Sequence, residues 1–397
     1  MTPQLLLSYD FPPIGGGIAR WMGEMAKRFA AGSLIVSTGY HPDSSSTDWR
    51  FENRIDRLST RAHRLRTIQG LVRWSNRAAF LARSSNVGFT WCGNIKPAGY
   101  PARWIAARSG IPYGIIVHGG DLLILQQQIA QHSFKRRTTR AIMRSASVMV
   151  ANSTWTADLC RSVLRALELE TRINRVRVVP LGSDPDLFRP GIDTTEVRTR
   201  YGLNGRRWLL TVARLTPHKG IDTALQVLAG LRHSYPDLSY AVVGQGTELS
   251  TLQAMAEKLG IADRVRFLTS VPDADLPALY NCAELYLGLS RQTPRNVEGF
   301  GISLVEASAC GIAIVAGRSG GIPDAVRDGE TGLLVNSEQP GQVAIAIRTL
   351  VDNKARASQL GAAGRHAVES YYNWQRVADD LRGIGLELGH ARTDALR

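Results

Sequence analysis

Long apolar runs are missing from this sequence, which removes one class of protein at once. No stretch approaches the ~18 uninterrupted apolar residues of a membrane-crossing helix. The opening run Met1-Thr-Pro-Gln-Leu-Leu-Leu-Ser-Tyr-Asp10 is too short for a signal peptide and has no basic flank, so it reads as a first buried strand. Cysteine is scarce: Cys92, Cys160, Cys282 and Cys310 are scattered, with no CxxC pair and no nearby histidine cluster. On that pattern neither a disulfide framework nor a structural zinc is expected, and a reducing, cytoplasmic setting is the default. Short-period repeats and low-complexity tracts are also lacking, which removes solenoid architectures.

What is present is ordinary globular composition, with 44% hydrophobic and 21% charged residues. A chain of 397 residues, at ~150 residues per domain, is expected to form two or three domains. The charge is uneven. Of a formal net charge of +14, residues 1–187 hold 25 Lys and Arg against 12 Asp and Glu, so nearly all the excess sits in the first half. Such asymmetry calls for an anionic partner there: membrane lipid, nucleic acid or a phosphorylated substrate.

In the second half, apolar runs recur at Trp208–Val212, Tyr240–Val243, Val265–Leu268, Leu285–Leu289, Ile312–Ala316 and Gly332–Val335, with amphipathic stretches such as Ile221–Arg232 and Glu248–Leu259 between them. This alternation predicts βαβ units, a parallel sheet and a Rossmann-like α/β architecture. The first half repeats the theme, with strands expected at Gln4–Ser8, Ser33–Ser37, Val87–Trp91, Tyr113–Val117, Val148–Ala151 and Val176–Val179. Phe188-Arg-Pro-Gly191 supplies breaker residues near Leu187–Ile192. The expected division is an N-terminal domain over 1–187, a C-terminal domain over 188–372, and a terminal helix and tail over 373–397.

Chemistry concentrates in Glu298-Gly-Phe-Gly-Ile-Ser-Leu-Val-Glu306. Gly299 and Gly301 bare the backbone just before an apolar run, Ile302–Cys310, that reads as a buried helix. A glycine turn at a helix N-terminus offers free N–H groups and the positive dipole end, which suits phosphate or sugar hydroxyls. Glu298 falls in the turn and Glu306 one turn inside the helix, so each carboxylate can accept hydrogen bonds from a diol. The plainer reading is a helix start with a structural buried glutamate. Upstream, Arg214 and Lys219 follow an expected strand and open a helix; both suit a diphosphate, Arg by forked contacts and Lys as a point charge. Their place at the carboxyl end of a parallel strand weakens the alternative of two solvated surface cations.

In order along the chain stand Gly15-Gly-Gly17, His118-Gly-Gly-Asp121, Asn152-Ser153-Thr154, Val179-Pro-Leu-Gly-Ser-Asp-Pro-Asp-Leu-Phe188, Arg214 with Lys219-Gly220, Val243-Gly-Gln-Gly246, the Glu298/Glu306 pair, Ser319-Gly-Gly-Ile-Pro-Asp324 and Asp328-Gly-Glu-Thr-Gly332. As an ordered set covering most of the chain, these resemble the family-4 (group 1) retaining glycosyltransferases of the GT-B fold. The resemblance implies two Rossmann-like domains facing across a cleft, with the C-terminal helix crossing back to the N-domain. It also implies transfer of a hexose from a nucleoside-diphosphate sugar to an acceptor hydroxyl, giving an α-linkage. It casts Arg214 and Lys219 as holders of the donor diphosphate, stabilising charge on the leaving group. Glu306 corresponds to the ribose-binding carboxylate and Glu298 to the one that contacts the donor sugar. Gly299, Phe300, Gly301, Ile302 and Ser303 close around sugar and phosphate, and Gly244 and Val271 join the same donor site. Gly16 and Gly17 match the N-domain glycine loop, and His118 a histidine near the transferred sugar. The resemblance implies no cofactor and no essential metal. Asp184-Pro-Asp186, which has the look of a metal-binding DxD, is accordingly read as structural.

The link Arg291-Gln-Thr-Pro-Arg-Asn-Val297 is several residues longer than usual and is similar to the phosphatidylinositol-mannosyltransferase-like branch, which favours GDP-mannose over UDP-sugars as donor. Val243-Gly-Gln-Gly246 has Leu249 at its third glycine position, against a dinucleotide fingerprint. Asp121 either orients His118 or caps a helix. Arg50–Arg83 carries nine arginines interleaved with Leu, Trp and Phe, and Lys135–Arg144 forms a second basic cluster at helical spacing. The first of these reads as a basic amphipathic helix that seeks an anionic membrane surface, or as a solvated face. The expected partners are a nucleoside-diphosphate sugar and a lipid-linked or glycan acceptor, with peripheral attachment to the inner face of the cell membrane and no nucleic acid. The rival readings are a UDP-sugar-dependent polysaccharide glycosyltransferase and a non-catalytic anionic-ligand or nucleic-acid-binding protein.

Overall fold

The computed structural model describes residues 2–294 and 296–395. Arg295 of the long link, and the last two residues of the expected terminal tail, lie outside the described residues. The chain divides into two compact units, residues 1–181 with 374–397, and residues 182–373.

The first unit is built on seven strands: β1 Gln4–Leu7, β2 Leu34–Tyr40, β3 Arg54–Arg61, β4 Phe89–Cys92, β5 Tyr113–Val117, β6 Val148–Ala151 and β7 Val176–Val178. They form one sheet in the order β3-β2-β1-β4-β5-β6-β7, parallel throughout, with Leu5 opposite Ile35 on one side and Thr90 on the other. β1, β4, β5 and β6 are buried at every position, as strands covered by helices on both faces must be. The helix Trp374–Ala395 closes this unit. It docks where Gln4 Nε2 donates to the Arg382 carbonyl at 2.9 Å and where Arg177 forks onto Glu387 at 2.8 Å. Gly385 makes the approach possible, since a Cβ there would come within 2.2 Å of Gln4 Oε1. The terminal helix thus returns to the N-domain, as the family pattern implies.

The second unit carries β8 Arg207–Val212, β9 Leu238–Val243, β10 Val265–Leu268, β11 Ala283–Gly288, β12 Ala313–Gly317 and β13 Leu333–Val335, ordered β10-β9-β8-β11-β12-β13 and again all parallel. Both sheets therefore have the doubly wound order, in which the chain leaves a central strand in one direction and later resumes on its other side.

One expectation is corrected. Arg50–Arg83 is not a single basic amphipathic helix: it holds the edge strand β3, a short turn at Ala62–Arg66 and the helix Ile68–Ser84. Leu65, Trp74 and Leu81 belong to the core, and Trp74 Nε1 donates to Ser37 Oγ at 3.1 Å. Arg57 is forked onto Asp48 at 2.7 Å and Arg77 onto Asp56. Those two arginines hold the edge strand in place, and only part of the cluster is left for an anionic partner. No helix among the described residues is long and apolar enough to cross a membrane. The four cysteines are buried free thiols.

Candidate active site

In the second unit the loops after β8, β9, β10, β11 and β12 all leave the same carboxyl edge of the sheet. β8 and β11 are neighbours at its topological switch point, where open α/β sheets bind ligands. The loop after β8 passes Arg214 and tightens into a 3₁₀ turn over Pro217–Lys219. The loop after β11 is the long link that ends on Glu298 and the glycines. Lys219 Nζ and Glu298 Oε2 form an ion pair across the two loops. Burial works to raise the Glu298 pKa, but the charge and hydrogen bond of Lys219, aided by His218 and Arg214, outweigh it and hold the carboxyl below its usual range. Arg214 is exposed and makes no ion pair among the described residues.

Gly301 precedes the helix Ile302–Ala309 with φ of +101°, a conformation that disfavours any side chain. With it, Lys219, Glu298 and Ser303 border a narrow depression floored by Thr211, Val212 and Tyr286. Beneath this surface Phe300 is buried and packs against Tyr372, ring centroids 6.2 Å apart. Gly299, Ile302 and Ser303 are half-buried. Glu306 lies one turn inside the helix, 2% exposed, where its Oε2 accepts from the Tyr280 hydroxyl at 2.7 Å. Gly244, after β9, presses on the Ala213 carbonyl: a Cβ would sit 2.0 Å from that oxygen. Val271 is half-buried in the loop after β10.

The remaining expected site residues belong to the first unit. Gly16 and Gly17 are exposed, with Gly16 preceding the helix Gly17–Arg28. His118 follows β5, 7% exposed; its Nε2 is 2.8 Å from the Gly93 carbonyl and its ring meets Trp21 edge-on at 5.5 Å. The Gly93 carbonyl, not Asp121, orients the imidazole, and no side chain caps the helix Gly119–Gln131. Asp184 Oδ1 accepts from the backbone N–H groups of Asp186 and Leu187 at 3.1 and 3.2 Å, closing its own turn.

Tyr9 and Asp10, and the contact Arg66 makes with them, escaped the sequence reading. Tyr9 and Asp10 follow β1, and Arg66 hydrogen-bonds the Tyr9 hydroxyl while stacking 4.5 Å over its ring. Burial, then the Asp10 charge, pushes the Tyr9 phenol up to about 12. Burial, with Asp121 adding to it, raises the Asp10 carboxyl against the pull of Tyr9, Arg66 and His118. Their signal was present, since Tyr9-Asp10 directly follows a strand that ends at a switch point.

Residues 193–367 match the family model described as Glycosyl transferases group 1. Over 397 aligned residues the chain is 32% identical to the GDP-mannose-dependent alpha-(1-6)-phosphatidylinositol monomannoside mannosyltransferase of Mycolicibacterium smegmatis, covering 96% of this chain and 98% of that one. The chain is a group 1 glycosyltransferase. Solved structures agree on the fold. Anabaena HepE in complex with UDP and glucose superposes with a TM-score of 0.77 at 19% identity, covering 97% of this chain and 99% of that one. Sucrose-phosphate synthase from Thermosynechococcus elongatus gives 0.78 at 20% identity, covering 98% and 100%. The glycosyltransferase thus has the GT-B fold with two Rossmann-like domains.

Proposed function

We propose that this glycosyltransferase moves mannose from GDP-mannose to a hydroxyl of a lipid-linked or glycan acceptor, with retention of configuration and without an essential metal. The observation that supports this reading most is the convergence of Lys219, Glu298 and the Gly301 turn on one depression at the switch point. A cation there faces the donor diphosphate, the helix N-terminus adds its dipole, and Glu298 accepts from sugar hydroxyls. Lysine and arginine supply the charge that a divalent ion supplies elsewhere, so turnover does not need one. The mannosyl donor is favoured by full-length similarity to an enzyme whose name specifies GDP-mannose. In a panel of GDP-, UDP- and ADP-sugars, GDP-mannose is expected to release nucleotide fastest, and EDTA to leave the rate unchanged. Turnover of UDP-sugars alone removes the mannosyl reading; loss of activity with EDTA, restored by a divalent ion, removes the metal-free one.

The acceptor side is read from the first unit. Arg61, Arg64 and Arg73 line a hollow of about 480 Å³ together with Thr67 and Gln69. Beside it the helix Ile68–Ser84 exposes Ile68 at 84% and Val72 at 55%. Basic residues beside exposed aliphatic ones favour peripheral attachment to an anionic membrane surface, each contributing about 1 kcal/mol near the surface. Vesicles containing phosphatidylinositol are expected to float the protein at low salt. Replacing the three arginines by glutamate should leave it in the pellet fraction, and equal flotation of both refutes the attachment.

A further inference from the structure

Lys219 and Glu298 sit on different loops, so their spacing depends on how those loops are tied together. The ion pair itself is not the tie that catalysis needs, because it must open when a diphosphate takes the lysine. Among the described residues, three other contacts tie the start of the long link to the Lys219 turn and the helix that follows it. The Leu289 carbonyl rests on Gly220, where a Cβ would lie 2.1 Å from it and where φ is +67°. The Arg291 N–H donates to the His218 carbonyl at 2.8 Å. The Arg291 guanidinium donates through Nη2 to Asp222 Oδ2 at 2.8 Å and through Nη1 to Thr223 Oγ1 at 3.3 Å.

We propose that Arg291 is a positioning residue, which clamps the Pro217–Lys219 turn between the link and the first turn of the helix Ile221–Leu231. The proposal rests on the donor-site reading above and adds a residue which that reading does not use. Arg291 is 22% exposed, and Asp222 answers its charge, so it does not compete with Lys219 for phosphate. His218 braces the same turn from within. His218 is buried, its Nδ1 lies 3.2 Å from Thr216 Oγ1, and burial with the nearby Lys219, Arg214 and Arg291 charges drives its pKa down to about 4, so it stays neutral. The far end of the link has an anchor of its own, the Glu298 carbonyl accepting from the Gly321 N–H at 2.9 Å. With both ends fixed, the lysine side chain is the part free to follow the donor.

Arg291→Ala removes the guanidinium contacts and keeps the backbone one; Arg291→Lys keeps the charge and loses the fork. Against the sugar nucleotide that the wild type turns over, Arg291→Ala should lower kcat about 10-fold or more, because small misplacements of a charge-stabilising group are costly. GDP and UDP affinities by calorimetry should stay within about 3-fold, a change of under 1 kcal/mol. Arg291→Lys should fall between. Amide hydrogen exchange should quicken at Lys219, whose N–H bonds the Thr216 carbonyl at 3.0 Å, and stay unchanged across Ile302–Ala309. A parallel fall of kcat, nucleotide affinity and thermal midpoint makes Arg291 merely structural and overturns the proposal. Should the wild type bind neither GDP nor UDP, the donor reading fails by itself. The exchange rate at Lys219 then decides: quickening keeps the clamp, and no change sinks it.

Discussion

Lys219→Ala is expected to lower turnover by roughly 10²–10³-fold, the scale set by removing one preorganised charge-stabilising donor from a site. The fold of the second unit should persist, since Lys219 lies at the rim of the sheet, beside the buried Thr211 and Leu289. The loss should fall mainly on kcat, because a cation facing the leaving diphosphate gains most as charge develops there. Arg214→Ala should behave differently. Its guanidinium is exposed, so it contributes more to capturing the donor than to the transition state, and KM should rise more than kcat falls. Glu298→Ala removes the carboxylate from the same depression and should also abolish measurable transfer. Initial rates at saturating donor, with circular dichroism to verify folding, separate these outcomes; full activity in Lys219→Ala or Glu298→Ala overturns the site assignment.

The parts of this site that were legible in the sequence are those built from local pattern. Apolar runs bounded by glycine and polar residues located twelve of the thirteen strands among the described residues. The exception, β3, reads Arg-Ile-Asp-Arg-Leu-Ser-Thr-Arg. It is an edge strand whose polar positions are satisfied by distant partners, Arg57 by Asp48 and Asp56 by Arg77. Those pairings cross from strand to helix and leave no periodic trace, so the arginines looked like one helical face. The two glutamates show the same limit. Their spacing around the glycine turn was readable, but their different surroundings were not: Glu298 meets Lys219 from another loop, and Glu306 turns inward to Tyr280 from another helix. His218 and Arg291 were unreadable for the same reason, since each acts through a contact made only after the sheet has assembled.

Lys219→Ala should also change how stability depends on pH, in a direction fixed by Glu298. In the wild type the lysine holds the folded Glu298 pKa below its ordinary value, so the carboxylate binds fewer protons folded than unfolded near pH 4. Its stabilising contribution is therefore present above the unfolded pKa of about 4.3 and is lost as pH falls through the lower folded value. Without Lys219 the largest charge opposing burial is gone, leaving mainly the exposed Arg214, and the folded pKa is expected to move above the unfolded one. The carboxylate then destabilises the fold at neutral pH, and stability rises as acid protonates it. The gap between wild type and Lys219→Ala should be about 1–3 kcal/mol at pH 7, the usual cost of leaving a partly buried acceptor without its partner, and should close toward pH 4. The double variant Lys219→Ala/Glu298→Gln removes the stranded charge and should recover most of the loss at pH 7 while remaining inactive. Urea unfolding of the three proteins at pH 7 and pH 4 reads both effects, since groups titrating elsewhere cancel in the differences. A gap that is the same at both pH values, or a double variant no more stable than the single one, means that the Lys219–Glu298 pair does not hold the two loops' charges in balance.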